Sequence, residues 1–404
     1  MYRSSIERYG DEDNNNDCDL VYYNIDIISN RTQDITGIDP PISYREDRQT
    51  PIINDASKYY FSIIRATLDG AGSGLPLFIP IIQLGQSDIN LTVYSITLSG
   101  YVGGGTRYTS QVFIEYEPES IIASLPQPPL LKQDLTSKYY YVFSYSHWVY
   151  LVNKAIAKAL ASVQTQVLSS FGTLKTKAPV IMYDSPSNLF KLYTDMYGFG
   201  TDYTQANPTT GTNEDFDIYF NSNMYQLFKN FPVEYYGGEP ANQGQTYRIV
   251  ITNQLGVNTY NDTIGTTYII TTQDFPSTDS IWSPISSIVF TTSMLPTISE
   301  QVGVPVSFEN GNNRVNQTSA AAFSNIITDI QLPLLRSSDY KGIINFTANP
   351  YRLTCMSNSK QDVRSVDIQM YWKCKMNNEL YPITMPGLST VSMKLMFRKK
   401  SLGV

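Results

Sequence analysis

Val366-Asp367-Ile368-Gln369-Met370-Tyr371-Trp372 and, shortly after it, Val391-Ser392-Met393-Lys394-Leu395-Met396-Phe397-Arg398 are the stretches that decide the fold. Val366, Ile368, Met370 and Trp372 fall on one side, with Asp367, Gln369 and Tyr371 opposite. Val391, Met393, Leu395 and Phe397 likewise oppose Ser392, Lys394 and Arg398. Period-two alternation of this kind belongs to a strand with one buried face. The far end of the chain repeats it, where Tyr23, Ile25 and Ile27 alternate with Tyr22, Asn24 and Asp26. Between these ends lie short β-rich runs at Tyr59–Leu68, Leu75–Ile82, Leu91–Leu98 and Tyr108–Glu117. Others follow at Tyr247–Thr252, Thr267–Thr272, Ser287–Thr292, Ile326–Leu332 and Gly342–Thr347, all punctuated by Gly, Pro, Asn and Asp. The expected fold is mainly β, an antiparallel jelly-roll sandwich built from both ends of the chain.

The middle of the chain changes period. Trp148, Val152, Ile156, Ala159, Val163, Val167 and Phe171 recur at three- and four-residue intervals, with Ser146 available as N-cap and Gly172 as the stop. Lys154, Lys158, Gln164 and Gln166 lie off that stripe, so one long helix is expected with one side wet. A short helix is expected at Ser222–Phe231, ended by Pro232. Residues 121–134 include Leu125-Pro126-Gln127-Pro128-Pro129 and cannot enter a sheet interior, because Pro lacks the ladder donor. The organisation read from these signals has four parts. They are a flexible polar arm at 1–19, a first jelly-roll part with its connector at 20–134, an α+β insertion at 135–240, and a second jelly-roll part at 241–404.

The 404 residues carry 29 basic and 36 acidic side chains, for a formal charge of −7, with 31 Tyr, three Cys and one His. Charged residues are 16% of the chain, below the ~25% of ordinary soluble domains. A Tyr-rich, weakly charged surface suits coverage in an assembly, where few charges need desolvation. The acidic balance argues against capture of nucleic acid by clustered Lys and Arg. Arg398-Lys399-Lys400, the one cationic run, reads as a solvated strand end. Cys18, Cys355 and Cys374 are too few and scattered for a disulfide framework, which fits synthesis in the cytosol. The five sequons, at Asn30, Asn90, Asn261, Asn316 and Asn345, match chance and carry no message about secretion. No apolar run approaches the ~18 residues that span a bilayer, so no transmembrane segment is expected.

Chemistry is constrained by the single histidine, because proton transfer near neutrality, Ser or Cys activation and zinc binding mostly use imidazole. His147 stands at the expected helix start, where a neutral, hydrogen-bonded packing role is the simpler account. Gly70-Ala71-Gly72-Ser73-Gly74 is followed by Leu75-Pro76, which denies the helix a phosphate loop needs. Gly103-Gly104-Gly105 reads as a hairpin tip. Asp11–Asp17 lacks the turn Gly and closing Glu of a calcium loop. Glu214, Asp215 and Asp217 form the densest acidic cluster outside 1–19, and the preceding Gly, Thr and Asn make an exposed loop approaching a strand the simpler setting. No catalytic, cofactor-binding or metal-ligating residue is assigned, and no cofactor or enzymatic activity is expected.

The order of aromatic motifs adds a resemblance. It runs from Tyr22-Tyr23-Asn24-Ile25-Asp26-Ile27 through Pro51-Ile52, Tyr59 to Arg65, and Leu75-Pro76-Leu77-Phe78-Ile79-Pro80. It continues with Tyr139-Tyr140-Tyr141-Val142, the Trp148 helix with Asn153, Tyr219-Phe220-Asn221 and Leu227-Phe228-Lys229-Asn230-Phe231-Pro232. Trp282-Ser283-Pro284-Ile285 and Lys394-Leu395-Met396-Phe397-Arg398-Lys399-Lys400 complete it. In this order the chain resembles the penton or minor capsid proteins of virophages and polinton-like viruses. The resemblance implies a jelly roll, pentamers at icosahedral vertices, contact with a major capsid protein, residence in the virion of a eukaryotic virus, and no catalysis, sequence-specific nucleic-acid binding or small-molecule substrate. The residues alone leave two other classes open. One is a carbohydrate- or receptor-binding β module; the other is a glycoside hydrolase using two carboxyls ~5–9 Å apart.

Overall fold

In the computed structural model, Ser365–Cys374 and Thr390–Lys399 are ten-residue strands inside two different antiparallel sheets. The structure describes residues 2–9, 18–28, 41–69, 74–103, 106–119, 127–129, 133, 135, 137–199, 205–206, 213–236, 244–251, 259–276, 282–298, 300–302, 306–309, 312–315, 322–331, 342–347, 352–357, 360–385 and 389–400. Two compact units divide the chain, Met1–Leu75 with Pro284–Val404, and Pro76–Ser283.

The first unit is the jelly-roll sandwich made by the chain ends. One sheet runs Tyr2–Tyr9, Leu20–Ile28, Thr390–Lys399, Tyr59–Asp69 and Ile343–Thr347, with Thr354–Cys355 also on Tyr59–Asp69. The other runs Ile326–Gln331, Ile285–Thr291, Ser365–Cys374 and Leu380–Pro382, with Ser43–Asp47 also on Ser365–Cys374. The alternation works as read. Tyr23, Ile25, Leu395 and Phe397 are fully buried from one sheet, and Val366 and Ile368 from the other. Each such side chain contributes about 1.5–3 kcal/mol of burial. The faces meet where the Tyr23 and Tyr44 hydroxyls lie 2.9 Å apart and where Thr354 Oγ1 donates to Ile327 O at 2.8 Å.

The inserted unit has a five-strand path, Val233–Tyr235, Tyr247–Ile249, Asn213–Phe220, Leu91–Val102 and Thr106–Glu115, with Gln205–Ala206 also on Asn213–Phe220. A second sheet runs Thr259–Asn261, Thr267–Thr272, Leu189–Asp195 and Val180–Asp184. The 27-residue helix Tyr145–Phe171 lies along Leu91–Val102, Thr106–Glu115 and Val180–Asp184. Trp148, Val152, Ile156, Ala159, Val163 and Val167 are all 0% exposed. Trp148 packs edge-on against Phe78 and Tyr94, with ring centroids 5.0 and 5.6 Å away, and Phe190 stacks on Trp282 at 5.4 Å.

Several expectations change. Tyr2–Tyr9, read as part of a flexible arm, pairs along its whole length with Leu20–Ile28, because an edge strand gains main-chain hydrogen bonds whatever its polarity; residues 10–17 lie outside the described residues. The compact insertion begins at Pro76 and ends at Ser283 rather than spanning 135–240. The physical reason is that Leu91–Val102 pairs with Asn213–Phe220, which draws residues 91–115 into the middle of the chain. Leu75–Ile82 forms isolated bridges, Phe78 to Val142 and Ile82 to Thr92, in place of a ladder, as Pro76 and Pro80 require. The helix cap is Ser144, whose Oγ accepts from His147 N, rather than Ser146. Gly172 closes the helix with φ +77°, a conformation suited to glycine. The short helix spans Ser222–Leu227, capped by Asn221.

Candidate functional site

The acidic cluster sits on the Asn213–Phe220 strand, not in a loop, and its members face opposite ways. Glu214 is fully buried and accepts from Lys175 N at 3.0 Å and from Thr176 N and Oγ1 at 2.9 and 2.5 Å. Asp217 lies on the other face between two arginines, 3.4 Å from Arg107 and 3.2 Å from Arg248. Arg107 also donates to Tyr219 OH at 2.7 Å, and Arg248 pairs with Glu234 at 2.7 Å. Alternation across the strand separates Glu214 from Asp217, so the three carboxylates do not converge.

The other buried acids are clamps as well. Glu119 accepts from Phe143 N and Ser144 Oγ at 3.0 and 2.7 Å, fixing the start of the long helix, where the dipole favours a negative charge. Asp195 accepts from Lys177 N and Tyr197 N at 2.8 and 3.0 Å. Burial pushes its carboxyl up, the Glu214 charge adds to the effect, and the backbone donors only partly oppose it. Asp367 accepts four hydrogen bonds from Thr292, Ser293 and Met294. Burial pushes it up, but those donors outweigh burial and hold it below the usual carboxylate range.

His147 places Nε2 2.7 Å from Glu117 O, so that nitrogen donates and the ring is committed to packing. Cys18 and Cys374 are buried and Cys355 is exposed; none of the three is in a disulfide, and burial pushes the Cys374 thiol up. Gly103 turns a hairpin at φ +72°, while Gly104, Gly105 and residues 70–73 lie outside the described residues. Among the described residues, no group of three or more His, Cys, Asp or Glu is placed to hold a metal ion, and no helix is long and apolar enough to cross a membrane.

What the molecule offers is surface. Tyr101, Tyr150, Tyr235, Tyr236 and Tyr260 are all about half exposed or more, and every one belongs to the inserted unit. The outer edge of Val180–Asp184 is closed by a side chain that imitates a strand. Asn153 Nδ2 donates to Ile181 O at 2.9 Å, and Ile181 N donates back to Asn153 Oδ1 at 2.8 Å. Such an edge is protected against unplanned pairing. Sequence reading placed Asn153 on the helix but had no signal for this contact, which joins positions far apart in the chain.

Comparison with known proteins gives a family. The family model of Sputnik minor capsid protein V18/19 matches residues 21–399. The V18 protein of the Sputnik virophage, itself described as uncharacterized, is 30% identical over 154 residues, 37% of this chain and 87% of that protein. A chain of the cryo-EM structure of the Sputnik virophage superposes with a TM-score of 0.74 at 24% identity, covering 95% of this chain and 99% of that one. The mavirus penton protein superposes with a TM-score of 0.60 at 17% identity, over 94% and 99% of the two chains. At these identities the solved structures show a shared fold.

Proposed function

Because the chain belongs to the Sputnik minor capsid protein V18/19 family and is a structural component of a virophage capsid, we propose that it is the vertex protein, five copies closing a ring that meets the major capsid protein. The observation that carries this reading is the family match across residues 21–399, and the whole-length fold shared with the mavirus penton protein supports it. Its work is then geometric, without catalysis, and is done in the virion after synthesis in the cytosol of a eukaryotic host.

A closed ring repeats one heterologous interface, so each subunit presents two different, complementary surfaces. We assign the ring contacts to the walls of the end-built sandwich. The inserted unit, with its half-exposed tyrosines, projects outward or braces neighbouring subunits. Tyr suits that task because it brings contact area at low entropic cost.

Native mass of the purified protein, by light scattering across concentration and salt, tests the ring. The expected species is five times 45.5 kDa, about 228 kDa. A trimer would instead point to a major capsid or spike component. A chain that stays monomeric even when mixed with its major capsid protein would remove the vertex reading.

A further inference from the structure

The first unit brings Arg65 beside the cations of the last strand. On the outer face of its terminal sheet, Arg65 stands directly opposite Lys394, and Arg398 directly opposite Tyr60. Period two from Phe61 and Ile63, both buried inward, would aim residue 65 at the core. A bulge there shifts the register between Lys394 and Leu395, so that Ala66 and Leu68 take the inward positions and Arg65 turns out. Arg65 and Arg398 are exposed, and neither makes an ion pair among the described residues. The Lys394 ammonium sits over the Tyr22 ring at 4.5 Å. That of Lys400 sits over Tyr60 at 5.4 Å and donates to Ser57 O at 2.8 Å.

Like charges placed opposite one another across strands repel, and Arg65 beside Lys394 accepts that cost about 5 Å apart. Arg398 lies four residues along the same strand, about 13 Å from Lys394. The spacing gives a short track of positive charge, bounded on the same face by half-buried Asp26 opposite Ser392, in a chain whose net charge is −7. The exposed large apolar side chains of this outer face, Ile28 opposite Thr390 and Ile343 opposite Asp69, stand at one end of the sheet, four residues along from Lys394 and Arg65. A face that docks on a bilayer inserts apolar groups, whereas one that follows a phosphate backbone needs only cations and hydrogen-bond donors.

We propose that this outer sheet face, leaving the ring contacts to the other walls of the sandwich, contacts the sugar-phosphate backbone of duplex nucleic acid through Arg65, Lys394, Arg398 and Lys400 without reading its sequence. The source of the duplex, a packaged genome, rests on the capsid assignment; the charge complementarity does not.

The test is binding of the full-length protein to a fluorescent 20-base-pair duplex at several salt concentrations. About four phosphate contacts give a slope of log K against log salt near −3.6, on the order of a 100-fold loss between 50 and 200 mM, alike for unrelated sequences. The variant Arg65→Gln/Lys394→Gln/Arg398→Gln/Lys400→Gln abolishes this binding, while Lys154→Gln/Lys158→Gln retains it. If the fourfold variant does not fold, Arg65→Gln/Arg398→Gln alone halves the slope. No duplex binding at 50 mM salt, an unchanged slope in these variants, or tighter binding to anionic lipid vesicles at equal salt would each overturn the proposal. Native mass read on the same samples separates the two claims. Duplex binding by a trimer, or by a chain that stays monomeric even with its major capsid protein present, removes the vertex reading alone, and a ring that ignores duplex removes this one alone.

Discussion

The end-built sandwich and the inserted unit both close an apolar core, but from opposite kinds of information. The sandwich comes from strict alternation, in which Val391, Met393, Leu395 and Phe397 are all buried and Asp367 is the buried acid that departs from the pattern. The inserted unit instead wraps sheets around one helical stripe, fastens the start of that helix with Glu119 and holds the segment after it, Lys175 to Lys177, with Glu214 and Asp195. Charge divides the same way. Residues 76–283 hold 10 basic and 16 acidic side chains, net −6, and the rest hold 19 and 20, net −1. A chain-wide acidic balance therefore conceals a nearly neutral unit with cations collected on one sheet face. Net charge describes solubility and long-range attraction; recognition depends on where the charges are brought together.

The largest expected effect asks whether the units are separate at all. Trp148→Ala and Trp372→Ala each remove a buried indole and cost about 4 kcal/mol. Calorimetry should then show two transitions, with Trp148→Ala lowering one and Trp372→Ala the other. A single transition moved equally by both would merge the units into one cooperative body.

Next come the clamps. Asp367→Ala and Glu214→Ala each strand several buried donors, at about 3 kcal/mol, and each should lower only its own unit's transition by denaturant titration. Their partners lie within one unit in both cases, so a shift of the other transition would break the comparison.

Smaller and opposite in sign are the pH effects. Asp367 has a lowered folded pKa, so its stabilisation is present above the unfolded value of ~3.9 and is lost as pH falls through the folded value. Asp195 has a raised folded pKa, so its contribution is complete below ~3.9 and is lost as pH rises through the folded value. Melting curves against pH should show Asp195→Asn flattening the inserted unit's profile above about pH 4, and Asp367→Asn flattening the sandwich's below about pH 4. Smallest of all, Lys154→Ala, which removes an exposed, solvent-screened pair with Glu117, should leave both transitions where they are in the wild-type melting curve.

Much of the architecture was legible because alternation and helical spacing are local. Tyr23 to Ile27, Val366 to Trp372 and the Trp148 stripe each declare their element within one short window. Partners are not local. Nothing near Leu91 says that Gly100 will oppose Phe216, so the insertion was bounded too narrowly. Ser144 and Ser146 offer the same hydroxyl, and the extended backbone at Ser144 decides between them. Asp215 and Asp217 looked like loop residues, since polarity normally marks exposure. They belong to a strand because Arg107 and Arg248 share their face. The function lay in the order of aromatic motifs rather than in any catalytic pattern, and the cationic face depended on a bulge that no periodicity announces.

The most direct test of the central claim is a cryo-electron microscopy map of the assembled particle, with this chain traced into density. The account predicts five copies around each five-fold axis, with sandwich walls in contact around the ring. Density for the chain at trimeric capsomers, or vertices filled by another protein, would contradict it.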